Sequence, residues 1–555
     1  MLYKTKILNV LFLFLFTILF NIGCGGSDSG DDDMTLLTML VLLSGNRSSS
    51  DSQTQCSSDS TKFTYSSSSS NTDHQAIVYD TISSGQVNAC ITGLDSKKTY
   101  NIFVVYSNLD TANSRKINEG SGTGKSESRE IIERNVFINK IPDYVREFNK
   151  NPPVLTKASN STNLNIKPPP INFYTVGTST KTWKTSDNST TSYDPVSTTL
   201  RGQTTLSSGK TLHVWIGNNE WTYSSIDYND VSTIMNTFKS TIYDKAKKIA
   251  GNEWGTHGYS DLLSSSTSEI HIVLYDINGD GAYGTIGFFY NANNYLTSYV
   301  PYSNQALVFF IDSPTYIDSS SGSETVIGTL AHEFQHMIHY YQKNILKDAS
   351  SNTWLNEMCS QVVEDSLAYY LGGFGTGPLY DRLPGYVANP NGNITDWNGN
   401  AFNYETAYSF GGYLLRNFGG ADLFTSIIQS SGVGMDAIDS ALSQSSFSDW
   451  KGNKAFMYWG ASLAMNPSKG SLPKYFGYPA TTVSGYFGSG SDLKLEAGNM
   501  YKDTKYQPKI YTTPPTTILP MSNVVYKIKS GVNSDTPFNL NLDTNVKISI
   551  VVSPM

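Results

Sequence analysis

Three of the seven histidines in this 555-residue chain fall within one short segment, at His332, His336 and His339. Apolar residues recur at helical spacing over residues 324–343, which predicts a helix. On that helix His332 and His336 lie one turn apart on the same face, so their imidazoles can bind one metal ion. Glu333 lies about 100° further round the helix axis, where its carboxylate can reach a water on the metal without binding the metal. The alternative for this pattern is a pair of packed histidines on an amphipathic helix.

A third metal ligand is predicted on a second helix, which follows a polar loop at 346–352. Glu357 lies 21 positions after His336, a gap that holds the end of the first helix, the loop and an antiparallel return. Two histidines and a glutamate leave a fourth coordination position open, as catalytic zinc sites do. A site with three histidine ligands needs Gly and His where this chain has His339 and Gln342. We therefore assign His339 to packing or to supporting a ligand.

Polar residues after Glu357 are candidates to hold the outer N–H of a ligand imidazole. Gln361 lies one turn after Glu357, and Glu364 and Asp365 lie about two turns after it. Solvation of the helix surface is the preferred interpretation of Glu364 and Asp365. Cys359 is predicted to be a buried thiol, because a cysteine nucleophile needs a basic histidine of its own.

The motif residues resemble a known family. The sequence His-Glu-Phe-Gln-His-Met at 332–337, followed by Thr-Trp-Leu-Asn-Glu at 353–357, is similar to the hyicolysin family of secreted bacterial neutral metalloproteases. That family belongs to the thermolysin-like superfamily of zinc peptidases with a glutamate as third ligand. The resemblance covers about residues 200–470. It implies a zincin-like catalytic domain, with a mixed sheet and active-site helices, that hydrolyses peptide bonds of proteins.

The same resemblance assigns roles to the motif residues. His332, His336 and Glu357 are implied to bind Zn²⁺, and Glu333 to act as general base toward a zinc-activated water. Thermolysin-like enzymes also use a downstream histidine, but this chain has none beyond His339. A tyrosine hydroxyl on the predicted helix at 403–416 can take that role.

Two tyrosines share one face of that helix. We predict Tyr408 as the group that stabilises the oxyanion, with Tyr404 as the alternative. The apolar run at 305–312 is predicted to be a strand. The resemblance implies the edge strand on which a substrate backbone pairs, but pairing order cannot be read from one sequence, and an interior strand of the same sheet is the other interpretation.

A short acidic segment supplies oxygen ligands at alternating positions. Asp276, Asn278 and Asp280 resemble the first half of a calcium loop, with glycine at the turn. A complete loop of that type has Glu at the twelfth position, where this chain has Gly287. The alternative to Ca²⁺ binding is an Asx-rich turn that holds no metal.

The N-terminus has the layout of an export signal. Lys4 and Lys6 precede an apolar run at 7–20 and then Cys24, which resembles a bacterial lipoprotein signal. We predict a signal peptide at 1–23 and a lipidated, flexible tether at 24–55. The protein is then an extracytoplasmic membrane lipoprotein of the outer membrane or cell surface. The alternatives are an ordinary signal peptide and an uncleaved anchor.

Composition limits the remaining possibilities. Charged residues make up 15 % of the chain and aromatic residues 12 %, which argues against disorder. A net charge of −8 without a dense Lys/Arg stripe argues against nucleic acid as a partner. The oligomeric state is not indicated.

Short alternating strands and turn signals divide the rest of the chain. We predict a β-rich N-terminal domain with a Pro-rich linker at 56–170, a metallopeptidase domain at 171–475 and a small C-terminal β-sandwich at 476–555. The fold class is α+β. Cys56 and Cys90 can form a disulfide bond outside the cytoplasm.

The predicted function is that of a membrane-anchored zinc metalloendopeptidase. One alternative is a surface lipoprotein or adhesin with a structural or inert zinc site. The other is a zinc amidase or peptidase that acts on cell wall. Retention of Glu333 argues against the first alternative, because an inactive descendant can lose the base and keep the ligands.

Overall fold

The computed structural model describes most of the chain after residue 55. The described residues are 56, 60–65, 73–79, 85–116, 141–157, 173–185, 195–221, 226–318, 322–502, 506–513, 516–543 and 546–555. The predicted signal peptide at 1–23 and the tether at 24–55 with Cys24 lie outside them. Among the described residues, no helix is both long enough and apolar enough to span a membrane.

Helices and strands are both abundant in the described residues, which confirms the predicted α+β class. In chain order the strands are β1 (Thr61–Thr64), β2 (Gln75–Tyr79), β3 (Gly85–Thr92), β4 (Tyr100–Asn108), β5 (Arg115–Lys116), β6 (Thr180–Lys184), β7 (Pro195–Thr205), β8 (Thr211–Gly217), β9 (Glu269–Tyr275), β10 (Gly287–Phe289), β11 (Leu307–Asp312), β12 (Thr481–Val483), β13 (Leu493–Leu495), β14 (Ile510–Tyr511), β15 (Thr517–Ile518), β16 (Ser522–Val532), β17 (Thr536–Leu542) and β18 (Val546–Pro554).

The helices concentrate in the middle of the chain. They are α1 (Asp143–Lys150), α2 (Tyr228–Thr237), α3 (Tyr243–Ala250), α4 (Ser313–Ile317), α5 (Gly322–His339), α6 (Thr353–Leu371), α7 (Pro378–Asp381), α8 (Leu383–Ala388), α9 (Ala401–Asn417), α10 (Ala421–Gln429), α11 (Gly434–Ser443) and α12 (Gly452–Ser462). The π-helical segment Phe238–Ile242 joins α2 to α3, and a second one, Tyr340–Ile345, extends α5.

A six-stranded mixed sheet supports the central region, in the order β10-β11-β9-β8-β7-β6. Strands β8, β9 and β11 run parallel to one another, while β10 pairs antiparallel to β11. All six residues of β11 are buried. Such a continuous apolar run is typical of a strand covered on both faces.

The structure decides between the two interpretations of the run at 305–312, in favour of an interior strand. Strand β11 lies between β9 and β10, and the edge beside α5 is the three-residue strand Gly287–Phe289. Burial on both faces explains the apolar run of β11, because side chains on both faces of an interior strand are removed from water.

The chain ends build a common β module. In its five-stranded sheet β4 lies between β16 and β18, and in a three-stranded sheet β3 lies between β1 and β17. These strands come from the two β-rich regions predicted at 56–170 and 476–555, and they pair across more than 400 positions. One hydrophobic core fills the module, and a second, larger core fills the central region.

A disulfide bond joins Cys56 to Cys90 of β3, with a Cα–Cα distance of 5.8 Å. The module contacts the central region through α12, which packs against β4, β16 and β18. The described residues from Cys56 onward form one compact unit, and the helical pair α5 and α6 lies in its central region.

Candidate metal centre

Helix α5 carries the histidine motif through the middle of the central core. Its residues are buried around the whole helix from Val326 to His339, because β10 and β11 cover one side and α6 covers another. Helix α6 follows a loop at 348–352 and returns antiparallel to α5, as the spacing predicted. Apolar side chains such as Leu330, Phe334 and Val362 pack between these elements with no exposed surface. The ligand side chains are thereby held on two neighbouring, well-packed helices.

Three side chains converge where the two helices face each other. The Nε2 atom of His332 lies 3.1 Å from Glu357 Oε2, and the Nε2 atom of His336 lies 3.5 Å from the same oxygen. One ligand atom from each residue falls within 4.8 Å of the other two. Among the described residues, this is the group of His, Cys, Asp and Glu side chains placed to hold a metal ion. Two imidazole nitrogens and a carboxylate oxygen suit zinc, so the donor set fits that ion.

The outward nitrogens of both imidazoles contact polar groups of α6. The Nδ1 atom of His332 lies 3.5 Å from Glu364 Oε2, and that of His336 lies 3.1 Å from Asn356 Oδ1 and 3.0 Å from Ser360 Oγ. Such contacts fix ring orientation and leave Nε2 directed at the cluster. The sequence analysis preferred solvation for Glu364 and overlooked Asn356 and Ser360. The one sequence feature that Asn356, Ser360 and Glu364 share is their position on the helix that carries Glu357, within two turns of it.

Glu333 lies beneath the edge strand and is fully buried. Its carboxylate forms a hydrogen bond with the backbone of Phe289 in β10. A Cβ atom on Gly287 would lie 2.7 Å from Thr329 Cγ2 and 3.2 Å from Glu333 Cγ. Only glycine therefore lets the edge strand approach the helix this closely.

Burial and mutual contact shift the pKa values of these groups. Burial opposes the charged imidazole of His332, but its hydrogen bonds with Glu357 and Glu364 outweigh burial and raise the pKa of His332 to about 10. Burial likewise disfavours the charged form of Glu357, yet His336 and His332 hold its pKa at about 2. Burial raises the pKa of Glu333, against the opposing charges of His336 and His332. A carboxylate with a raised pKa is a better proton acceptor.

Tyr404 and Tyr408 of α9, the two candidates for the oxyanion, have different neighbours. The hydroxyl of Tyr408 donates to Asp365 Oδ2 at 3.1 Å, beside the buried Arg416. Tyr404 instead lines the cavity that contains His336 and Glu357. Burial, together with the charges of Glu357 and Glu333, raises the pKa of Tyr404 well above its usual value. The phenol of Tyr404 therefore stays protonated beside His336 and Glu357.

A cavity of about 560 Å³ gives access to the cluster. That volume is in the range of ~300–1,000 Å³ typical of ligand pockets. The first residues of α6, the segment 397–400 and Tyr404 form one side of it, while Phe289 and residues of α1 form another. A substrate can therefore reach the ligands along the edge of the sheet.

The proposed calcium segment has hydrogen bonds within the loop. Asp276 Oδ1 accepts from the backbone N–H of Gly281 at 3.2 Å, and Asn278 Nδ2 donates to Thr285 Oγ1 at 3.0 Å. Asn278 has a φ of 63°, a left-handed value that Asn tolerates. Both contacts hold the segment in its turn conformation. Ca²⁺ binding by Asp276, Asn278 and Asp280 stays a prediction.

Cys359 is a free thiol without exposed surface, and burial raises its pKa to about 12. A buried thiol with a raised pKa is a poor nucleophile. His339 is also buried, and its Nδ1 atom lies 3.4 Å from Gln335 Nε2 instead of facing Glu357.

Comparisons with known proteins agree with this geometry. The sequence model of the family described as peptidase M30 matches residues 191–536. A curated relative, the neutral metalloprotease ShpI of Staphylococcus hyicus, is 28 % identical over 259 residues. That alignment covers 42 % of this chain and 56 % of the relative, so the chain spans little more than half the relative's length.

Proposed function

The chain belongs to the peptidase M30 family, and from that premise we propose that it is a secreted, membrane-anchored zinc endopeptidase that hydrolyses peptide bonds of proteins. One observation carries the proposal. His332, His336 and Glu357 converge at the end of an open cavity, with the buried carboxylate of Glu333 on the same helix.

In this proposal the three converging residues hold the zinc ion and the chain's other groups position the substrate. Zinc at this place supplies a Lewis acid that polarises a carbonyl and makes water more acidic. Glu364 keeps the ring of His332 oriented, while Asn356 and Ser360 do so for His336. Fixed ligand orientation matters because misplaced ligands lower metal affinity and activity together.

Glu333 is the general base. Its buried carboxylate accepts a proton from the attacking water and then donates it to the leaving amine. The raised pKa of Glu333 favours proton uptake, and its hydrogen bond with the Phe289 backbone fixes the carboxylate under the edge strand.

Tyr404 is the group we assign to the oxyanion. A protonated phenol in a buried site donates a hydrogen bond to developing negative charge more effectively than it does in water. Tyr404 packs edge-to-face against Trp397 with ring centroids 4.9 Å apart, so its ring cannot turn freely.

The remaining predictions complete the proposal. Residues 171–475 form a zincin-like catalytic domain of the hyicolysin type, with β-rich regions at 56–170 and 476–555. Residues 1–23 are a signal peptide, and lipidation of Cys24 anchors the tether at 24–55 to the membrane. Mass spectrometry of the mature N-terminus tests this arrangement, because an acylated Cys24 supports it and a free N-terminus elsewhere contradicts it.

Casein hydrolysis by the zinc-loaded mature protein tests the enzymatic proposal. We expect a chelator to abolish cleavage and zinc to restore it. Glu333→Gln should lower kcat by about 10²–10⁴-fold while one zinc per chain is retained, because it removes only the base. Glu324→Gln, an exposed substitution on the same helix, is the matched control and should cleave normally.

Two outcomes would contradict this function. Intact casein with zinc fully bound would favour an inert surface lipoprotein or adhesin. Cleavage of cell-wall peptides or amides without cleavage of casein would favour a cell-wall hydrolase.

A further inference from the structure

A short helix from outside the family match forms one wall of the active-site cavity. Helix α1 precedes residue 191, where the family match begins, yet Arg146, Asn149 and Lys150 line the same cavity as His336 and Glu357. No local pattern predicts this placement, because α1 lies almost 200 residues before the motif.

One face of α1 is firmly docked on the catalytic region. Val145 has no exposed surface, and the ring of Phe148 packs edge-to-face against Tyr290 and Tyr295. The side-chain amide of Asn149 donates to the Phe289 carbonyl at 2.8 Å and accepts from the Asn291 N–H at 3.0 Å. These residues follow the i, i+3, i+4 spacing of one helix face. The helix is therefore fixed at the end of the edge strand.

The adjacent face of α1 presents its cations to the cavity. Asp143, Arg146 and Lys150 follow the i, i+3, i+7 spacing, and all three line the cavity. Arg146 approaches the opposite wall, since its Nη1 atom lies 3.4 Å from the position of a Cβ on Gly399. Arg146 is also near enough to Tyr404 that its positive charge lowers the pKa of that phenol, against the larger rise that burial causes.

The partners that Arg146 already has are weak ones. Its Nη2 atom lies 2.7 Å from Asp143 Oδ1, and its Nε atom lies 3.9 Å from Glu147. The Asp143 side chain is 85 % exposed, and exposed ion pairs on one helix contribute little. A substrate carboxylate inside the cavity is less solvated than Asp143, so it can compete for the guanidinium.

We propose that Arg146, assisted by Lys150, is a specificity-determining residue that selects substrates with a carboxylate next to the scissile bond. This inference rests on the proposed peptidase function and names its substrate class. The net charge of −8 of the whole chain repels a carboxylate, so the proposed preference for carboxylates depends on the cations Arg146 and Lys150 in the cavity wall. Two sources share this chemistry: an Asp or Glu side chain and the C-terminal carboxylate of a peptide.

Peptide kinetics with the zinc-loaded full chain test the inference. One cleaved reference peptide is varied to Glu, Gln or Lys at each position around the scissile bond, and each version is made with a free and an amidated C-terminus. We expect Glu to exceed Gln by about tenfold in kcat/KM at one position, the effect of one charge-assisted hydrogen bond. A gain confined to the free C-terminus would assign the preference to the chain end.

Variants connect the preference to the helix. Arg146→Glu should remove the preference for Glu and favour Lys, whereas Arg146→Lys should keep part of it. Asp143→Asn should strengthen it, because the competing carboxylate is gone. Lys239→Glu, the same charge change at an exposed residue of the π-helical segment 238–242, is the matched control and should leave the preference unchanged.

Failure of this inference differs from failure of the proposed function. If no peptide is cleaved, the peptidase proposal falls and the inference with it. If the peptides are cleaved but wild type and Arg146→Glu show the same ratio of Glu to Gln, the inference alone is overturned. Unchanged zinc content and melting temperature in each variant exclude misfolding as the reason.

Discussion

Helix α6 carries two buried carboxylates eight residues apart, and their surroundings differ in kind. Asp365 forms two hydrogen bonds with the guanidinium of Arg416, at 2.6 and 3.1 Å, and accepts a third from Tyr408. Glu357 instead faces the imidazoles of His332 and His336 next to an open cavity.

The difference teaches how to recognise a ligand site among buried polar groups. The permanent cation of Arg416 balances Asp365 from within the chain, so that cluster is complete and structural. The partners of Glu357 are the imidazoles of His332 and His336, which carry a positive charge only when they take up protons. A metal ion that binds these imidazoles displaces those protons. In the proposed function, the ligand is the buried carboxylate whose partners can also bind a metal and which lies in reach of solvent.

Removing the cation of the structural cluster should produce the largest change in stability. Arg416→Met leaves the carboxylate of Asp365 buried without its partner, and we expect a loss of about 3–5 kcal/mol in the free energy of unfolding. Urea denaturation measures it. Replacing both residues by apolar ones should recover most of that loss, and zinc content should stay unchanged throughout. Equal stability of Arg416→Met and wild type would refute the assignment of Asp365 to a structural ion pair.

Substitution of each tyrosine of α9 should affect a different property, because Tyr404 lies beside Glu357 and Tyr408 contacts Asp365. Tyr404→Phe should lower kcat by about 10²–10³-fold with little change in KM, because it removes a donor to the oxyanion. Tyr408→Phe removes a hydrogen bond to Asp365 and should mainly lower the melting temperature. Steady-state kinetics on one fluorogenic peptide compare the two variants. The reverse result would restore the sequence-based choice of Tyr408.

A smaller effect is expected from the support of His332. Glu364→Gln should weaken zinc affinity by about 10–100-fold, the usual cost of losing a carboxylate that orients a ligand. Competition with a chromophoric chelator measures that affinity. Glu324→Gln, the same change at an exposed residue of α5, is the control. An unchanged affinity in Glu364→Gln would leave only Asn356 and Ser360 as supporting residues.

Much of the site follows from local spacing. The i, i+4 pair His332 and His336 and the gap to Glu357 depend only on helix geometry and a short connection, so one sequence is enough to predict them. The choice between Tyr404 and Tyr408 depends on what packs against each turn of α9. Residues at i and i+4 share a face, and spacing alone cannot distinguish their neighbours.

Long-range pairing explains which features of the fold could not be predicted from the sequence. The apolar run of β11 indicates a strand, but its interior position depends on the pairing of β10 with it. Strand β10 has only three residues, and a strand of that length is too short to show an alternating pattern. The common β module joins strands from both ends of the chain, and no local pattern encodes such a pairing. The overall α+β class could be predicted because it depends only on which periodicities are present.

Zinc content of two matched variants tests the central claim most directly. Glu357→Gln and Asp365→Asn each neutralise one buried carboxylate of α6, and metal analysis of the folded fraction gives zinc per chain. We predict close to one zinc in the wild type and in Asp365→Asn, and almost none in Glu357→Gln. Full zinc retention in Glu357→Gln, or equal loss from both variants, would contradict a metal centre built on His332, His336 and Glu357.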